Sequence, residues 1–401
     1  METPRPAKAV TGAKIAMIVI FVVLIWLPTL DVLFHWDQTP HVNENRQPAA
    51  FPQLNSGLAG IRNFISGLER YYNDHFGFRK RLIYWGQTWK REWFHETLQS
   101  GVIIGQKGWL YHAESFGLTE ESRRATTPFT SKELEDWQTL FDSRRDWLNR
   151  RGIHYLVVIP SDKPSIYPEY LPGWVPKQNP VTKIDQLMAH MQNHSTVEVL
   201  DVRPALLQAK QTRQVFYLTD SHWNQYGAFI TCNELIRTLS RQMPDLSPLS
   251  LNLFDLAITN GPGGNLAWVL TGAYSMIEEN YFTLQPRPPL PVLSVVRKDV
   301  KGAIIHQTRN PQQKGKAIMF GDSFAEGLMP FLAYHFNEVT SYRLYDGRAS
   351  NERDQSSSER AHIWKSEIIE QEKPDAVIDE ILETLLCFEN PVTIKRADAL
   401  K

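Results

Sequence analysis

The sequence predicts an α/β layered protein with a largely parallel sheet, carried behind one amino-terminal apolar helix. Three observations predict it. Ile15 to Leu30 is a run of sixteen residues without a charge. From about residue 130, short β-branched apolar runs alternate with helix-period segments, the rhythm of βαβ units. Two turn motifs rich in chemistry stand where such a rhythm places ligand crevices, between a predicted strand and a predicted helix. Composition agrees: 42% hydrophobic and 22% charged residues in a 401-residue chain exclude disorder and collagen-like repeats. The 43 basic and 44 acidic residues nearly cancel, so no global field exists to collect nucleic acid. A mean hydropathy of −0.35 excludes a polytopic membrane protein and leaves room for one span.

That span reads IAMIVIFVVLIWLPTL. At 1.5 Å per residue it covers about 24 Å, short of a hydrocarbon core of about 30 Å. Lys14 can snorkel on one side, and Val32 to Trp36 can carry the helix past Asp31 on the other. The following LPTLDVLFHWDQ offers no small-residue cleavage site. An uncleaved anchor over residues 15–36 is therefore expected rather than a removed signal peptide or a buried core helix. Arg5, Lys8 and Lys14 precede the span, which keeps the tip in the cytoplasm and sends the remainder outside, into the periplasm of a bacterium.

Residues 37–60, with Pro40, Pro48 and Pro52, read as a linker. A helical stretch from Ile61 to about Leu98 follows, and its aromatic stripe Tyr84, Trp85, Trp89 and Trp93 reads as core packing. Thr130 and Glu133 form a capping-box signature for a helix that Gly152 stops. Strands are expected at 153–159, Val197–Asp201, Val215–Leu218, Ala317–Phe320, Glu338–Leu344 and Ala376–Ile381, with helices at 181–194, 223–240, 324–336 and 359–373. Residues 241–316, rich in Pro and Gly, read as a loop-rich insertion. The main domain is thus expected over 61–390, followed by a tail at 391–401. Cys232 and Cys387 form no C-x-x-C pair, which argues against zinc or redox chemistry and leaves one bridge or two buried thiols open. The histidines show no metal-ligand spacing, and no metal or cofactor is expected.

The first motif is Gly321-Asp-Ser-Phe324, after a predicted buried strand and at the start of an apolar helix. There Ser323 meets exposed backbone N–H groups and a positive helix end, which suit a developing oxyanion. The plainer reading makes Ser323 a helix cap. The second motif, Tyr217-Leu-Thr-Asp-Ser-His-Trp-Asn-Gln-Tyr-Gly227, carries Asp220 and His222. A hydroxyl nucleophile needs a base within hydrogen-bond reach, and His222 steadied by Asp220 supplies one. The plainer reading is a capping Asp beside a loop His.

Together these motifs resemble the SGNH-hydrolase-like domain of the periplasmic alginate O-acetyltransferases, the AlgJ and AlgX proteins. Glu44-Asn-Arg, Tyr72–Arg79, Val102–Tyr111, Ile159–Pro172 and Lys373–Ile381 resemble family segments too, and Asp and His precede Ser as in that family. The resemblance implies a three-layer SGNH-like fold and a Ser323–His222–Asp220 triad. It also implies acetyl transfer through an acetyl-serine onto an exopolysaccharide. The implied partners are a membrane-bound O-acyltransferase as acetyl donor, other polysaccharide synthesis and export proteins, and the inner membrane. Gly263-Gly-Asn-Leu-Ala267 departs from a family Gly-Asp-Leu-Ala stretch, and Gly264 or Asn265 is a candidate second oxyanion donor. With 78 residues after Ser323, the anchored AlgJ-like architecture fits better than AlgX with its carbohydrate-binding module. In the periplasm a Cys232–Cys387 bridge becomes permissible. An esterase acting on polysaccharide acetyl esters, or a scaffold without catalysis, remains an alternative. Lys163 and Arg343 are surface charges that a carboxylated sugar could meet.

Overall fold

The computed structural model describes residues 7–34, 36–37, 49–53, 57–79, 81–82, 101–113, 127–175, 181–271, 276–287, 294–300, 303–344, 364–388 and 391. Glu44-Asn-Arg, the aromatic run Tyr84 to Trp93, the side chain of Cys387 and the tail beyond residue 391 lie outside what is described. The chain divides into two compact units, Met1–Glu96 with Trp268–Ala273, and Thr97–Ala267 with Tyr274–Lys401. Residues 61–96 group with the amino-terminal unit.

In the first unit, helix α1 (Ala7–Phe34) runs through Asp31, and its stretch Lys14–Val32 is long and apolar enough to cross a membrane. Helix α2 (Gly57–His75) ends in the Phe76-Gly77-Phe78 turn. The Asp31 carboxylate accepts hydrogen bonds from the Asp37 N–H (2.7 Å) and the Phe78 N–H (2.8 Å). A Cβ on Gly77 would stand 2.0 Å from the Pro28 carbonyl oxygen, so only glycine allows that approach.

The second unit is a three-layer α/β fold. Its small hairpin β1 (Val102–Ile104) and β2 (Leu110–His112) precedes helix α3 (Ser131–Asn149). Thr130 and Glu133 form the reciprocal capping box expected of them, and Gly152 takes a φ of +70° beyond the helix end. There follow β3 (His154–Ile159), the single turn α4 (Lys163–Ile166), α5 (Lys183–His194), β4 (Val199–Asp201), α6 (Arg203–Ala209) and α7 (Gln225–Leu239). Residues 241–316 are not the loops expected of them. They form a long antiparallel ribbon of β5 (Phe254–Pro262) and β6 (Ile277–Pro286), with α8 (Asn265–Thr271) between, and then β7 (Ser294–Val300) and β8 (Ala303–Arg309). The chain closes with β9 (Lys316–Phe320), α9 (Ser323–Leu332), β10 (Glu338–Leu344), α10 (Ser366–Glu372), β11 (Ala376–Glu380) and α11 (Leu385–Phe388).

The main sheet has the order β4-β3-β11-β9-β10-β8-β7, parallel from β4 to β10, with β8 and β7 added antiparallel at the edge. Its central strands alternate between two cores, as a two-residue period requires. Leu156, Val158, Ala317, Met319 and Ile378 join the core that contains α7 and α9. Tyr155, Val157, Ile318, Phe320 and Val377 face α3 and α5. One strand expectation fails: Val215–Leu218 makes only a bridge, Phe216 to Trp223, because its polar backbone groups are satisfied by side chains and loops instead of a ladder. Cys232 is a free thiol buried in α7, so it does not form the bridge that the compartment would permit.

On the α3 side, Arg144 reaches Asp379 of β11 at 2.6 Å, both side chains fully buried, and the Tyr155 hydroxyl donates to the same carboxylate oxygen at 2.6 Å. Removing the cation leaves a buried carboxylate uncompensated. Arg144→Met is expected to destabilise the chain by about 3–5 kcal/mol. The double change Arg144→Met with Asp379→Leu recovers much of that loss, as read by urea unfolding of the chain in detergent.

Candidate active site

Parallel strands bring the turns after β3, β9 and β11 to one edge of the sheet, where α/β folds bind ligands. After β9 the Gly321-Asp-Ser turn opens α9. Asp322, not Ser323, is its N-cap, and its Oδ1 accepts from the Phe324 N–H at 2.7 Å. Ser323 is thereby the first helical residue, and its hydroxyl is not spent on capping. Its N–H belongs to the first turn, which has no intrahelical acceptors.

The structure brings the three predicted residues into line. Ser323 Oγ lies 2.7 Å from His222 Nε2, and His222 Nδ1 lies 2.6 Å from Asp220 Oδ1. The contact with Asp220 selects the Nδ1–H tautomer and leaves Nε2 to accept the serine proton. Phe324, buried behind the ring with centroids 4.7 Å apart, limits its rotation. Burial by itself would raise the Asp220 carboxyl. The His222 ring and the backbone N–H groups of Asn265 and His222 outweigh it and hold Asp220 at about 2.

Because residues 215–224 are a loop, other elements must hold them. Glu278 of β6, almost fully buried, accepts from the N–H groups of Leu218 and Thr219 and from the Thr219 hydroxyl. The Thr219 oxygen in turn accepts from the Gly264 N–H at 2.9 Å. The Asn265 N–H donates to Asp220 Oδ2 at 2.7 Å, and its side chain pairs with Ser221 through both amide atoms. The backbone N–H groups of Gly264 and Asn265 are thus committed to the loop that carries Asp220 and do not point to an oxyanion. A Cβ on Gly264 would stand 2.3 Å from Asp220 Cβ, which is why glycine occupies that position.

Lys163 is not a surface charge. It is 3% exposed, and its Nζ donates to the carbonyls of Leu110 (2.7 Å) and Leu218 (3.1 Å). Burial lowers its ammonium to about 7, against the opposing pull of Asp220 and Glu278. It fastens the base-bearing loop to the β1–β2 hairpin. Arg343 sits 3.6 Å from Glu326 of α9, an ion pair rather than a solvated head group.

Sequence reasoning passed over Glu380, the last residue of β11. It is fully buried, and its Oε2 accepts from the Asp322 N–H at 2.8 Å. A Cβ on Gly321 would meet that same oxygen at 2.2 Å. Burial, with the neighbouring Asp322 carboxyl next, pushes the Glu380 carboxyl well above the ordinary range, and this side chain braces the turn beneath Ser323. The signal lay in an acidic residue at the end of an otherwise apolar strand. Beside the triad, between α7, α9 and the β5–β6 ribbon, lies a cavity of about 520 Å³.

Residues 102–383 match the family model described as the SGNH hydrolase-like domain of the acetyltransferase AlgX. The protein named probable alginate O-acetylase AlgJ from Azotobacter vinelandii is 28% identical over 191 residues, 47% of this chain and 44% of that one. Its namesake from Pseudomonas putida KT2440 is 30% identical over 145 residues, 35% of this chain and 34% of that one. The chain thus spans less than half the length of these relatives. The structure of Bacillus cereus PatB1 superposes with a TM-score of 0.53 at 16% identity, covering 72% of this chain and 99% of that one, a likeness of fold.

Two outcomes test this geometry. Gly264→Ala is expected to slow labelling of Ser323 by a sulfonyl fluoride about 100-fold, by displacing Asp220, with the folded circular dichroism signal retained. The Asp220 value lies below the ordinary 3.9 of a free carboxyl. Its ionised form therefore stabilises the fold fully above about pH 4, and that contribution is lost as pH falls toward 2. Asp220→Asn is expected to flatten this part of the acid limb in a plot of Tm against pH.

Proposed function

This chain belongs to the family of AlgX-type SGNH hydrolase-like acetyltransferase domains, and from that premise we propose that it moves acetyl groups onto hydroxyls of an alginate-like exopolysaccharide. The observation that carries the proposal is the hydrogen-bonded line from Asp220 through His222 to Ser323. Names of relatives support the acetyl group and the polymer class, since the curated relatives are called alginate O-acetylases.

In the first step His222 Nε2 takes the Ser323 proton as Oγ attacks the acetyl carbonyl carbon. Negative charge develops on the carbonyl oxygen, and the Ser323 N–H at the start of α9 faces it with a positive helix end. The intermediate collapses, the donor's alcohol leaves with the proton from His222, and an acetyl-serine remains. In the second step an acceptor sugar hydroxyl gives its proton to His222 and attacks the acetyl carbon. Ser323 Oγ departs and recovers the proton, which restores the starting state. Asp220, ionised throughout, steadies the imidazolium in both steps.

Helix α1 is read as a signal anchor that holds the catalytic unit at the periplasmic face of the inner membrane, with Lys14 and the preceding basic residues on the cytoplasmic side. The acetyl donor would then be a membrane-bound O-acyltransferase. Tethering both proteins to one bilayer raises their effective concentration. Other polysaccharide synthesis and export proteins would deliver the acceptor.

Ser323→Ala is expected to lower the acetyl content of the secreted polymer to background while the chain remains in the membrane. Purified chain in detergent, given an acetyl ester with and without oligosaccharide, should move acetyl onto sugar at a rate that Ser323→Ala reduces by at least about 10³-fold. Acetyl recovered only as free acetate would establish an esterase instead. Unchanged polymer acetylation in the Ser323→Ala strain would establish a scaffold.

A further inference from the structure

The cavity beside the triad is far larger than an acetyl group requires, and its chemistry differs from that of the other side of Ser323. Its wall includes Trp223, Ala228, Phe254, Leu284, Pro330 and Phe331. Tyr217, Gln225, Glu326 and Tyr334 line it too, together with the triad, but apolar groups make up the greater part of the wall. The Asn224 amide donates to the Gln214 carbonyl and accepts from the Gly227 N–H, and Gln225 Oε1 accepts from the Leu284 N–H. Trp223 Nε1 is buried without a partner among the described residues, and it lies over Gly327, where a Cβ would stand 2.6 Å away.

A sugar ring brings several hydroxyls, and each one left unpaired in an apolar cavity carries a desolvation penalty. Nor does the wall offer an open aromatic platform for stacking a sugar. Trp223, Phe254 and Phe331 are 3–4% exposed, and their rings are engaged edge to face with Phe324, Phe229 and one another. Ser221 and Asn265, by contrast, place exposed polar groups on the Asp220 side of the site. The largely apolar wall and these exposed polar groups thus lie at different parts of one site.

We propose that this cavity receives the carrier of the acetyl donor, an apolar chain on the alcohol side of the donor ester, while the polysaccharide approaches past Ser221 and Asn265. The inference rests on the acyl-transfer reading of Ser323. The reaction is the first half already described: the carrier's oxygen leaves with the His222 proton, and the carrier remains seated in the cavity until released. Occupation of the cavity during the acetyl-serine stage would also keep water from that side of the ester.

The test uses the full-length chain in one detergent, with ethyl, butyl and hexyl acetate, whose alcohols are of closely similar acidity. Burial of the chain should raise kcat/KM about fourfold per added methylene, before saturation of the cavity. Ethyl acetate, butyrate and hexanoate, which lengthen the acyl side instead, should show no such rise. In Leu284→Trp and in Ala228→Phe, which narrow the cavity from different walls, the hexyl-to-ethyl acetate ratio should fall toward one whatever the absolute rate. A flat series of alkyl acetates overturns the proposal, and so does a rise on the acyl side alone. Loss of ethyl acetate turnover in Ser323→Ala, with acetyl found on Ser323 by mass spectrometry in the parent chain, separates the two levels. If these fail, the acyl-transfer reading fails; if they hold and the alkyl series is flat, only the carrier site does.

Discussion

A serine hydroxyl is a poor nucleophile at neutral pH unless a base is held within hydrogen-bond distance of it, and here base and hydroxyl lie 101 residues apart in sequence. Much of the second unit serves the 2.7 Å contact between His222 and Ser323. The serine side is secured by regular structure: a buried parallel strand, a tight turn and a helix whose cap is Asp322. The base side has no strand to lean on. Glu278 from β6, Lys163 from α4 and the Gly264-Asn265 amides at the start of α8 hold it instead. The ribbon that reads in the sequence as an insertion is therefore what makes the acid and base loop rigid.

Two carboxyls within this constellation are driven in opposite directions by their surroundings, a pattern common where one site needs both charge states. Asp220 has a cationic partner in prospect and backbone donors around it, and stays ionised. Glu380 has burial and a neighbouring acid, which push its carboxyl upward. The first orients a base. The second accepts the Asp322 N–H and so braces the turn that carries Ser323. On the opposite face of the sheet, Asp379, adjacent to Glu380 in sequence, pairs with Arg144. Alternation along β11 thus sends one carboxyl to the active edge and the next to the structural core.

A transferase differs from an esterase with the same triad in how it keeps water from the acetyl-serine. The asymmetry of the site bears on that difference. Ser323 borders a cavity lined mainly by apolar groups, and Ser221 and Asn265 present exposed polar groups beside it. On the acyl-transfer reading, such an arrangement would give donor and acceptor separate approaches to one carbonyl carbon.

The sequence by itself determined the apolar helix, the parallel strands and the capping box at Thr130, and it singled out Asp220, His222 and Ser323, which the fold aligns. Each is a local property: periodicity, a cap pattern or a motif with its own chemistry. Helix α9 and strand β10 fall almost where periodicity puts them. Only the tertiary structure decided the rest. Val215–Leu218 has the composition of a strand, but Tyr167, Glu278 and Lys163 satisfy its backbone from distant segments, so no ladder forms. Gly264 and Asn265 have the composition of an oxyanion loop, and their amides turn out to bind Thr219 and Asp220. Lys163 has the look of a solvated charge and is buried against two carbonyls. In each case the partner lies tens of residues away, and a hydrogen bond between remote groups leaves no trace in local pattern until folding brings the two ends together.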